Sequence, residues 1–187
     1  MAKNSNSIRI IAGKWRGRQL TFAPVKDLRP TPDRVRETLF NWLQTRITNK
    51  KCLDLFAGSG ALGFEALSRG ADSVVFVEKQ QQAVATLNKS LALLEADNAA
   101  VHHCSAEQFI ASAKQRFDII FLDPPYNDNN LETLFKLIET QQLLEPNGLI
   151  YFEHDSHHTE PELPKNWQII RSKKASQVRY YLAESQP

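Results

Sequence analysis

The sequence predicts an α/β fold built on a mostly parallel sheet. Short apolar runs alternate with longer segments in which apolar residues recur at helical spacing, as they do from Val84 through Leu87 and Leu91 to Leu94. This alternation is typical of βαβ units, in which a helix connects two parallel strands. The predicted strands of the sheet are residues 52–56, 73–77, 100–103, 117–122 and 148–152.

The end of the chain predicts a different connection. Two β-rich runs at residues 167–171 and 178–182 are joined by a short basic segment, which indicates an antiparallel terminal hairpin. No internal repeat divides the chain, and the only change of pattern falls near residue 45. We therefore predict an N-terminal extension at residues 1–45 and a main domain at residues 46–187.

The N-terminal extension is strongly basic. Residues 1–40 carry nine Lys or Arg against three acids, whereas the whole chain has a formal net charge of only +2. Residues 8–13 and 17–22 predict two short strands, and a helix is expected to begin after Asp33 as its N-cap. A basic extension on a nearly neutral body is typical of a protein that binds a polyanion such as RNA.

The composition favours a soluble protein in a reducing compartment. The 187 residues include only Cys52 and Cys104, which show no paired spacing. The N-terminus lacks the apolar segment of a signal peptide, and no apolar stretch approaches the ~20 residues that a membrane span requires. A cytoplasmic location is the expectation.

A glycine-rich loop supplies the first chemical signal. Gly58, Gly60 and Gly63 form a GxGxxG motif after a predicted strand that carries Asp54, and Glu78 ends the next strand. Glycines allow the backbone to approach a ligand closely, and an acid about twenty residues on can hold ribose hydroxyls. Nicotinamide enzymes share this motif. However, the Asp54 carboxylate would repel a pyrophosphate and suits the ammonium of S-adenosylmethionine.

Residues after the third strand of the sheet have two interpretations. Ser105 and Ala106 lie where a doubly wound sheet would close over an adenine. Ser105 is equally well explained as the N-cap of an ordinary helix. The sequence does not decide between these interpretations.

The second chemical signal is a rigid loop at Asp123, Pro124, Pro125 and Tyr126, delivered by an apolar strand to the same edge of the sheet. The prolines remove two N–H donors. The Asp123 carboxylate and the Pro124 carbonyl are therefore two acceptors that suit the two N–H groups of an exocyclic base amine. Tyr126 offers a ring on which a splayed base can stack, worth roughly 1–3 kcal/mol. The proton that the amine loses can pass to Asp123 or to solvent, and the sequence is consistent with both routes.

No metal site is expected from the sequence. His154, His157 and His158 lie close together, but the composition of this segment is that of a solvated loop. The transfer of a methyl group from a sulfonium needs no metal, since the donor is already activated.

These motifs together resemble a known family. The run from Arg29 to Asn41 (RPTPDRVRETLFN), the run from Ile8 to Arg18 and the DPPY loop are similar to the bacterial RsmD family of small-subunit ribosomal RNA guanine-N2 methyltransferases. The resemblance spans nearly the whole chain. It implies a class I, Rossmann-like methyltransferase fold with a seven-stranded sheet and an antiparallel final hairpin. It also implies S-adenosylmethionine as cofactor and a guanosine in an assembled or assembling small subunit as substrate.

The resemblance and the motifs assign three sets of site residues. The catalytic loop is Asp123, Pro124, Pro125 and Tyr126. The cofactor set is Asp54, Phe56, Gly58, Gly60, Glu78 and Ala106. The RNA set is Trp15, Arg16, Arg18, Thr31, Arg34 and Arg36.

Three other functions remain open from the sequence. The DPPY loop fits any planar amine, so an adenine-N6 methyltransferase acting on DNA or RNA is one alternative. A non-catalytic RNA-binding assembly factor that kept this fold is another. A nicotinamide dehydrogenase is the weakest of the three. We expect a monomer.

Overall fold

The computed structural model describes residues 6–24, 30–124 and 130–186. Pro125 and Tyr126 of the predicted catalytic loop lie outside the described residues. The chain begins with a two-stranded antiparallel sheet, formed by β1 (Ser7–Arg9) and β2 (Gln19–Thr21), and continues into helix α1 (Asp33–Trp42).

A seven-stranded sheet forms the centre of the protein. Its strands are β3 (Lys51–Asp54), β4 (Ser73–Glu78), β5 (Ala99–His103), β6 (Phe117–Leu122), β7 (Leu144–Asp155), β8 (Trp167–Ala175) and β9 (Val178–Ser185). The helices between them are α2 (Ala61–Ser68), α3 (Gln81–Leu94), α4 (Ala106–Ser112) and α5 (Leu131–Thr140). The spatial order is β5-β4-β3-β6-β7-β9-β8. Strands β3 to β7 pair in parallel, and β9 is antiparallel to both β7 and β8. The predicted mostly parallel sheet and its terminal hairpin are confirmed.

The strand order places a topological switch point at β3. The chain runs from β3 outward through β4 to β5, then returns to lay β6 on the other side of β3. Ligands of such sheets bind outside the carboxyl ends of the strands at this point. The sheet therefore brings the residues that end β3, β4 and β6 to one edge.

Apolar residues cover both faces of the sheet. One face packs on α4 and α5, and the other packs on α2, α3 and α1. The hydrophobic core on the face that packs on α1, α2 and α3 also contains Ile8, Ile10, Trp15 and Leu20 of the N-terminal extension. The extension thus shares a hydrophobic core with the sheet, and the boundary near residue 45 stays a prediction.

Several predicted element limits require correction. The N-terminal strands span only three residues each, because the backbone between them turns and bonds to α2, with the Lys14 N–H donating to the Ser68 carbonyl. Asp33 is the first helical residue rather than a side-chain cap, since its carboxylate accepts from Arg36 instead. Strand β3 ends at Asp54, where the chain turns into the glycine loop.

Neither cysteine forms a disulfide; Cys52 is buried in the core and Cys104 is half-buried. In the described parts of the chain, no helix combines the length and the apolar character required to cross a membrane.

Candidate active site

Three carboxylates meet at the carboxyl edge of the sheet. Asp54 ends β3, Glu78 ends β4, and Asp123 directly follows β6. The strands are neighbours in the order β4-β3-β6, so these acids come from three adjacent strands. The electrostatic repulsion between them contributes to the perturbed pKa of Asp54. They form one cluster of negative charge at the switch point.

Asp54 lies beneath the glycine loop. Its side chain is 2% exposed, and its Oδ2 accepts a hydrogen bond of 3.1 Å from the Gly63 N–H in the first turn of α2. The pKa of Asp54 is raised to about 7, mainly by burial and also by the charges of Asp123 and Glu78, against the hydrogen bonds that lower it. Asp54 therefore positions the loop and α2. Its contact with the ammonium of a cofactor stays a prediction.

Glu78 connects the glycine loop to the end of β4. One carboxylate oxygen accepts from the Gly58 N–H at 2.8 Å, and the other accepts from the Gln80 N–H at 2.7 Å. Gly58 and Gly60 have φ angles of 50° and 78°, a left-handed conformation that other residues rarely adopt. A methyl group added at Gly60 would lie 2.4 Å from the Phe64 ring. The loop thus needs glycine for its backbone and for its packing.

Asp123 is hydrogen-bonded to the N-terminal extension. The Thr31 hydroxyl donates a hydrogen bond of 3.1 Å to its Oδ2, and Thr31 is itself buried. Burial raises the pKa of Asp123 to about 6, while this hydrogen bond lowers it. At neutral pH the carboxylate is mainly ionised and can accept hydrogen bonds. Pro124 is buried beside it.

A second carboxyl group lies close to Asp123, and the sequence analysis missed it. Leu122 pairs with Phe152 across β6 and β7, so Asp123 and Glu153 follow at equivalent positions on adjacent strands. Glu153 is buried and accepts a hydrogen bond of 2.5 Å from the Tyr151 hydroxyl. Burial, together with the charge of Asp123, raises the pKa of Glu153 well above its usual value. An acid directly after the apolar run 149–152 was the signal in the sequence.

The structure divides five of the six predicted RNA residues into two groups; the sixth, Thr31, is the buried donor to Asp123. Arg16, Arg18 and Arg34 are exposed on the extension, as a surface that binds phosphates requires. Trp15 and Arg36 are only 6% and 1% exposed. Neither side chain presents the exposed surface that a phosphate contact requires, and their contact with RNA stays a prediction.

Trp15 and Arg36 are buried for different reasons. The Trp15 ring packs in the hydrophobic core, and its backbone N–H donates to the Ser68 hydroxyl at 3.0 Å. Arg36 lies three and four positions before the buried Leu39 and Phe40, so the helical period places it on the inward face of α1. That period was a signal in the sequence.

Glu65 fixes the extension to α2, and the sequence analysis missed this residue. Its side chain is fully buried and accepts from the backbone N–H groups of Ile11 and Ala12 at 2.9 and 3.1 Å. The guanidinium of Arg69 lies 2.7 Å from it, and that of Arg36 lies 3.6 Å from it. The carboxylate therefore joins the first residues of the extension to the helix that follows the glycine loop.

The remaining predicted positions lie around this edge. Ser105 accepts from the Gln108 N–H and forms a capping box, so its N-cap interpretation is confirmed. Ala106 is buried at the start of α4, and Phe56 is half-buried in the glycine loop. The contact of these two residues with a cofactor stays a prediction.

The histidine segment has ordinary contacts. His154 stacks on the ring of Tyr181, and His157 pairs with Asp155 at 2.7 Å. Within the described residues, no group of three or more His, Cys, Asp or Glu side chains is arranged to hold a metal ion.

The charge of the cluster tests which ligand fits the glycine loop. Asp54 and Glu78 bond to the glycine motif, Asp123 follows the neighbouring strand, and the pKa of Asp54 is raised to about 7 by burial and by the charges of the other two acids. A cation would relieve this repulsion, whereas a pyrophosphate would add to it. S-adenosylmethionine carries a sulfonium and an ammonium, so the donor set fits this cofactor. The strand order, the glycine loop and the acid that ends β4 define a class I methyltransferase fold.

Comparisons with known proteins agree with this class. The family model described as "Conserved hypothetical protein 95" matches residues 8–184. The chain belongs to this family, which is the RsmD family. "Ribosomal RNA small subunit methyltransferase D" of Escherichia coli K12 is 46% identical over 95% of this chain and 90% of that protein. The protein of the same name from Haemophilus influenzae is 43% identical over 95% and 94%. The solved structure of "Putative methyltransferase yhhF" from Escherichia coli has a TM-score of 0.90 at 45% identity, over 96% of this chain and 98% of that one.

Proposed function

We propose that the protein transfers the methyl group of S-adenosylmethionine to the exocyclic N2 of a guanosine in small-subunit ribosomal RNA. The observation that carries this proposal is the ionisable Asp123 carboxylate, held by Thr31 at the switch point beside the glycine loop. Membership of the RsmD family and the names of its relatives support the RNA substrate.

The residues of the cofactor site hold the glycine loop in place and orient the cofactor. Glu78 and Asp54 fix the glycine loop from both sides through its backbone N–H groups. S-adenosylmethionine, when bound there, supplies a methyl group that its sulfonium already activates. The negative cluster favours binding of this cationic cofactor over a neutral analogue.

The residues of the catalytic loop bind the amine. The lone pair of a guanine amine is delocalised into the ring, which makes the amine a weak nucleophile. The Asp123 carboxylate and the Pro124 carbonyl accept hydrogen bonds from its two N–H groups and stabilise the positive charge that develops on nitrogen. As the N–C bond forms and the bond from sulfur to the methyl group breaks, the nitrogen releases one proton to Asp123 or to solvent. Holding the nitrogen in line with the methyl group supplies the rest of the rate enhancement. The pKa of about 6 keeps Asp123 ionised for this role at neutral pH.

The basic extension provides the RNA-binding surface. Arg16, Arg18 and Arg34 are exposed there, and the extension packs on the same core as the site. Phosphate contacts position an RNA without reading its sequence. We propose that the protein acts as a monomer on the assembled or assembling small subunit, in the cytoplasm.

Labelled methyl transfer tests the proposal. Small subunits from cells that lack this activity are incubated with the protein and labelled S-adenosylmethionine, and the RNA is digested to nucleosides. We expect N2-methylguanosine from the wild type. Asp123→Asn keeps the shape of the side chain but loses the charge, and should reduce methyl transfer roughly a hundredfold. Asp118→Asn, an acid on β6 far from the site edge, is the matched control.

Each outcome has a clear meaning. N6-methyladenosine in the digest would assign the protein to the adenine-N6 class instead. Binding of RNA without binding of S-adenosylmethionine in calorimetry would identify an assembly factor. Full activity in Asp123→Asn would show that the charge of the Asp123 carboxylate is not required for methyl transfer.

A further inference from the structure

A pocket of about 330 Å³ opens between the N-terminal two-stranded sheet and the start of α1. Arg9, Gln19 and Phe22 line it from the strands, and Pro30, Thr31 and Arg36 line it from the other side. Its volume lies within the range of about 300–1,000 Å³ found for small-molecule sites. None of the motifs that identified the catalytic loop and the glycine loop accounts for it.

One wall carries a buried donor that needs an acceptor. Arg36 is 1% exposed, and its Nη2 donates to the Arg9 carbonyl at 3.0 Å and to Asp33 at 2.6 Å, while its Nη1 pairs with Glu65. Its buried Nε–H finds no partner among the residues that the structure describes. An unpaired buried donor costs about 1–3 kcal/mol. Because this nitrogen has almost no accessible surface, an acceptor atom of a ligand would recover that cost only after a shift of the Arg36 side chain.

The charge balance shows which acceptor fits. The carboxylates of Asp33 and Glu65 are shared by three guanidinium groups, those of Arg9, Arg36 and Arg69, so one positive charge remains in excess at this wall. The excess charge at the exposed Arg9 suits the phosphate of a nucleotide, and a base carbonyl or ring nitrogen suits the unpaired N–H of Arg36. The exposed Arg9 and Gln19 side chains add further hydrogen-bonding groups at the opening.

The other walls suit a flat ligand. The half-buried ring of Phe22 and the ring of Pro30 are apolar surfaces on which a planar group can lie. Proteins that bind single-stranded RNA stack its splayed bases on aromatic side chains and read base edges with hydrogen bonds. The combination of an aromatic ring, prolines and an unpaired donor is therefore that of a nucleobase pocket.

Thr31 relates this pocket to the catalytic loop. The residue lines the pocket, and its hydroxyl bonds to Asp123, which itself is not part of the lining. A base in the pocket is therefore next to the methylated base but separate from it. We propose that this pocket receives the nucleobase adjacent to the methylated guanosine in the RNA chain. This inference rests on the proposed RNA methyltransferase function.

Removal of single bases from the RNA tests the pocket directly. Fluorescein-labelled RNA heptamers with the sequence around the methylated guanosine are prepared intact, or with the base removed on the 5′ or the 3′ side. Their affinities are measured by anisotropy at low salt with saturating S-adenosylhomocysteine, so that no methyl transfer is needed. We expect the wild type to bind one of the two abasic heptamers about tenfold more weakly than the intact one.

Variants assign this loss to the pocket. Phe22→Leu keeps an apolar side chain but removes the ring, and Gln19→Ala changes only an exposed position. Both should bind the intact heptamer more weakly and lose most of the discrimination against the abasic one. Arg16→Gln, an exposed arginine of the same extension outside the pocket, should weaken both heptamers equally. Thermal unfolding checks that each variant is folded.

Three results would overturn the inference. Equal wild-type affinity for the intact and both abasic heptamers would show that the pocket does not bind the neighbouring base. A lack of any binding by the intact heptamer would also contradict the inference. Unchanged discrimination in both Phe22→Leu and Gln19→Ala would place that base elsewhere. If small subunits are methylated normally in the assay with labelled S-adenosylmethionine, the proposed function stands and only this inference fails.

Discussion

The Thr31 hydroxyl donates a hydrogen bond of 3.1 Å to the Asp123 carboxylate across 92 positions of the sequence. This contact joins the N-terminal extension to the catalytic loop through a single side chain. It fixes one carboxylate oxygen, and among the described residues no other hydrogen bond to this carboxylate is present. The extension is therefore a structural component of the active site as well as a candidate RNA-binding surface.

Removal of this hydrogen bond should slow catalysis. Thr31→Val keeps the shape of the side chain but leaves Asp123 without its donor. Because a hydrogen bond to a charged group is worth about 1.5–3 kcal/mol, we expect kcat to fall roughly ten- to hundredfold. Thr31→Ser retains the hydroxyl and should restore most of the rate. Steady-state methyl transfer to small subunits measures both variants. Equal rates for Val and Ser would show that the hydroxyl has no catalytic role.

Cofactor affinity should depend on pH because of the buried acids. The pKa of Asp54 is about 7 in the free protein and that of Asp123 is about 6, so both hold protons at pH 5. A cationic cofactor favours their ionised forms, so the affinity for S-adenosylmethionine should rise from pH 5 to pH 7.5. Calorimetry at several pH values measures this rise. Asp54→Asn should bind more weakly and reduce the slope, and an unchanged slope would contradict this account.

The free energy of unfolding of the cofactor-free protein should fall over the pH range in which the cofactor affinity rises. The pKa values of Asp54 and Asp123 are raised on folding, so the protonated forms stabilise the fold below about pH 4. This contribution is lost as pH rises towards 7, by up to about 1.4 kcal/mol per pH unit for each group. Urea unfolding without cofactor measures how the free energy of unfolding decreases with pH. This decrease should be smaller in Asp54→Asn.

Arg34 and Arg36 should have different effects when replaced. Arg36→Gln removes a buried partner of Glu65, and we expect the free energy of unfolding to fall by about 3 kcal/mol. Arg34→Gln changes an exposed position and should leave stability within about 0.5 kcal/mol of wild type. Urea unfolding and RNA binding are measured for both. Loss of RNA affinity in Arg36→Gln without loss of stability would show that Arg36 acts as an RNA contact and not as a structural residue.

The salt dependence of RNA binding should report on the exposed arginines. If Arg16 and Arg18 each contact a phosphate, the double variant to Gln should reduce the slope of log affinity against log salt by about 1.4–1.8. Lys173 and Lys174 lie on β8 at the far edge of the sheet, and their double variant to Gln is the matched control. An equal slope in the wild type and the Arg16 and Arg18 variant would place the RNA on another surface.

Much of the fold was predictable because the chain alternates regularly. Parallel strands joined by helices bring their carboxyl ends to one edge, so acids that end or directly follow strands must meet there. This geometry identified Asp54, Glu78 and Asp123 from the sequence. It also applied to Glu153, which follows the same kind of apolar run, although that residue was overlooked.

The sequence by itself determined the sheet, its terminal hairpin and the three acids, because hydrophobic periodicity and strand ends are local properties. Only the tertiary structure decided how the extension is used. It buried Arg36 against Glu65, left Arg34 exposed two residues away, and brought Thr31 to Asp123. The physical reason is that charge marks an arginine as basic but does not fix its environment. Contacts with distant segments decide whether its charge is neutralised in the core or available to RNA.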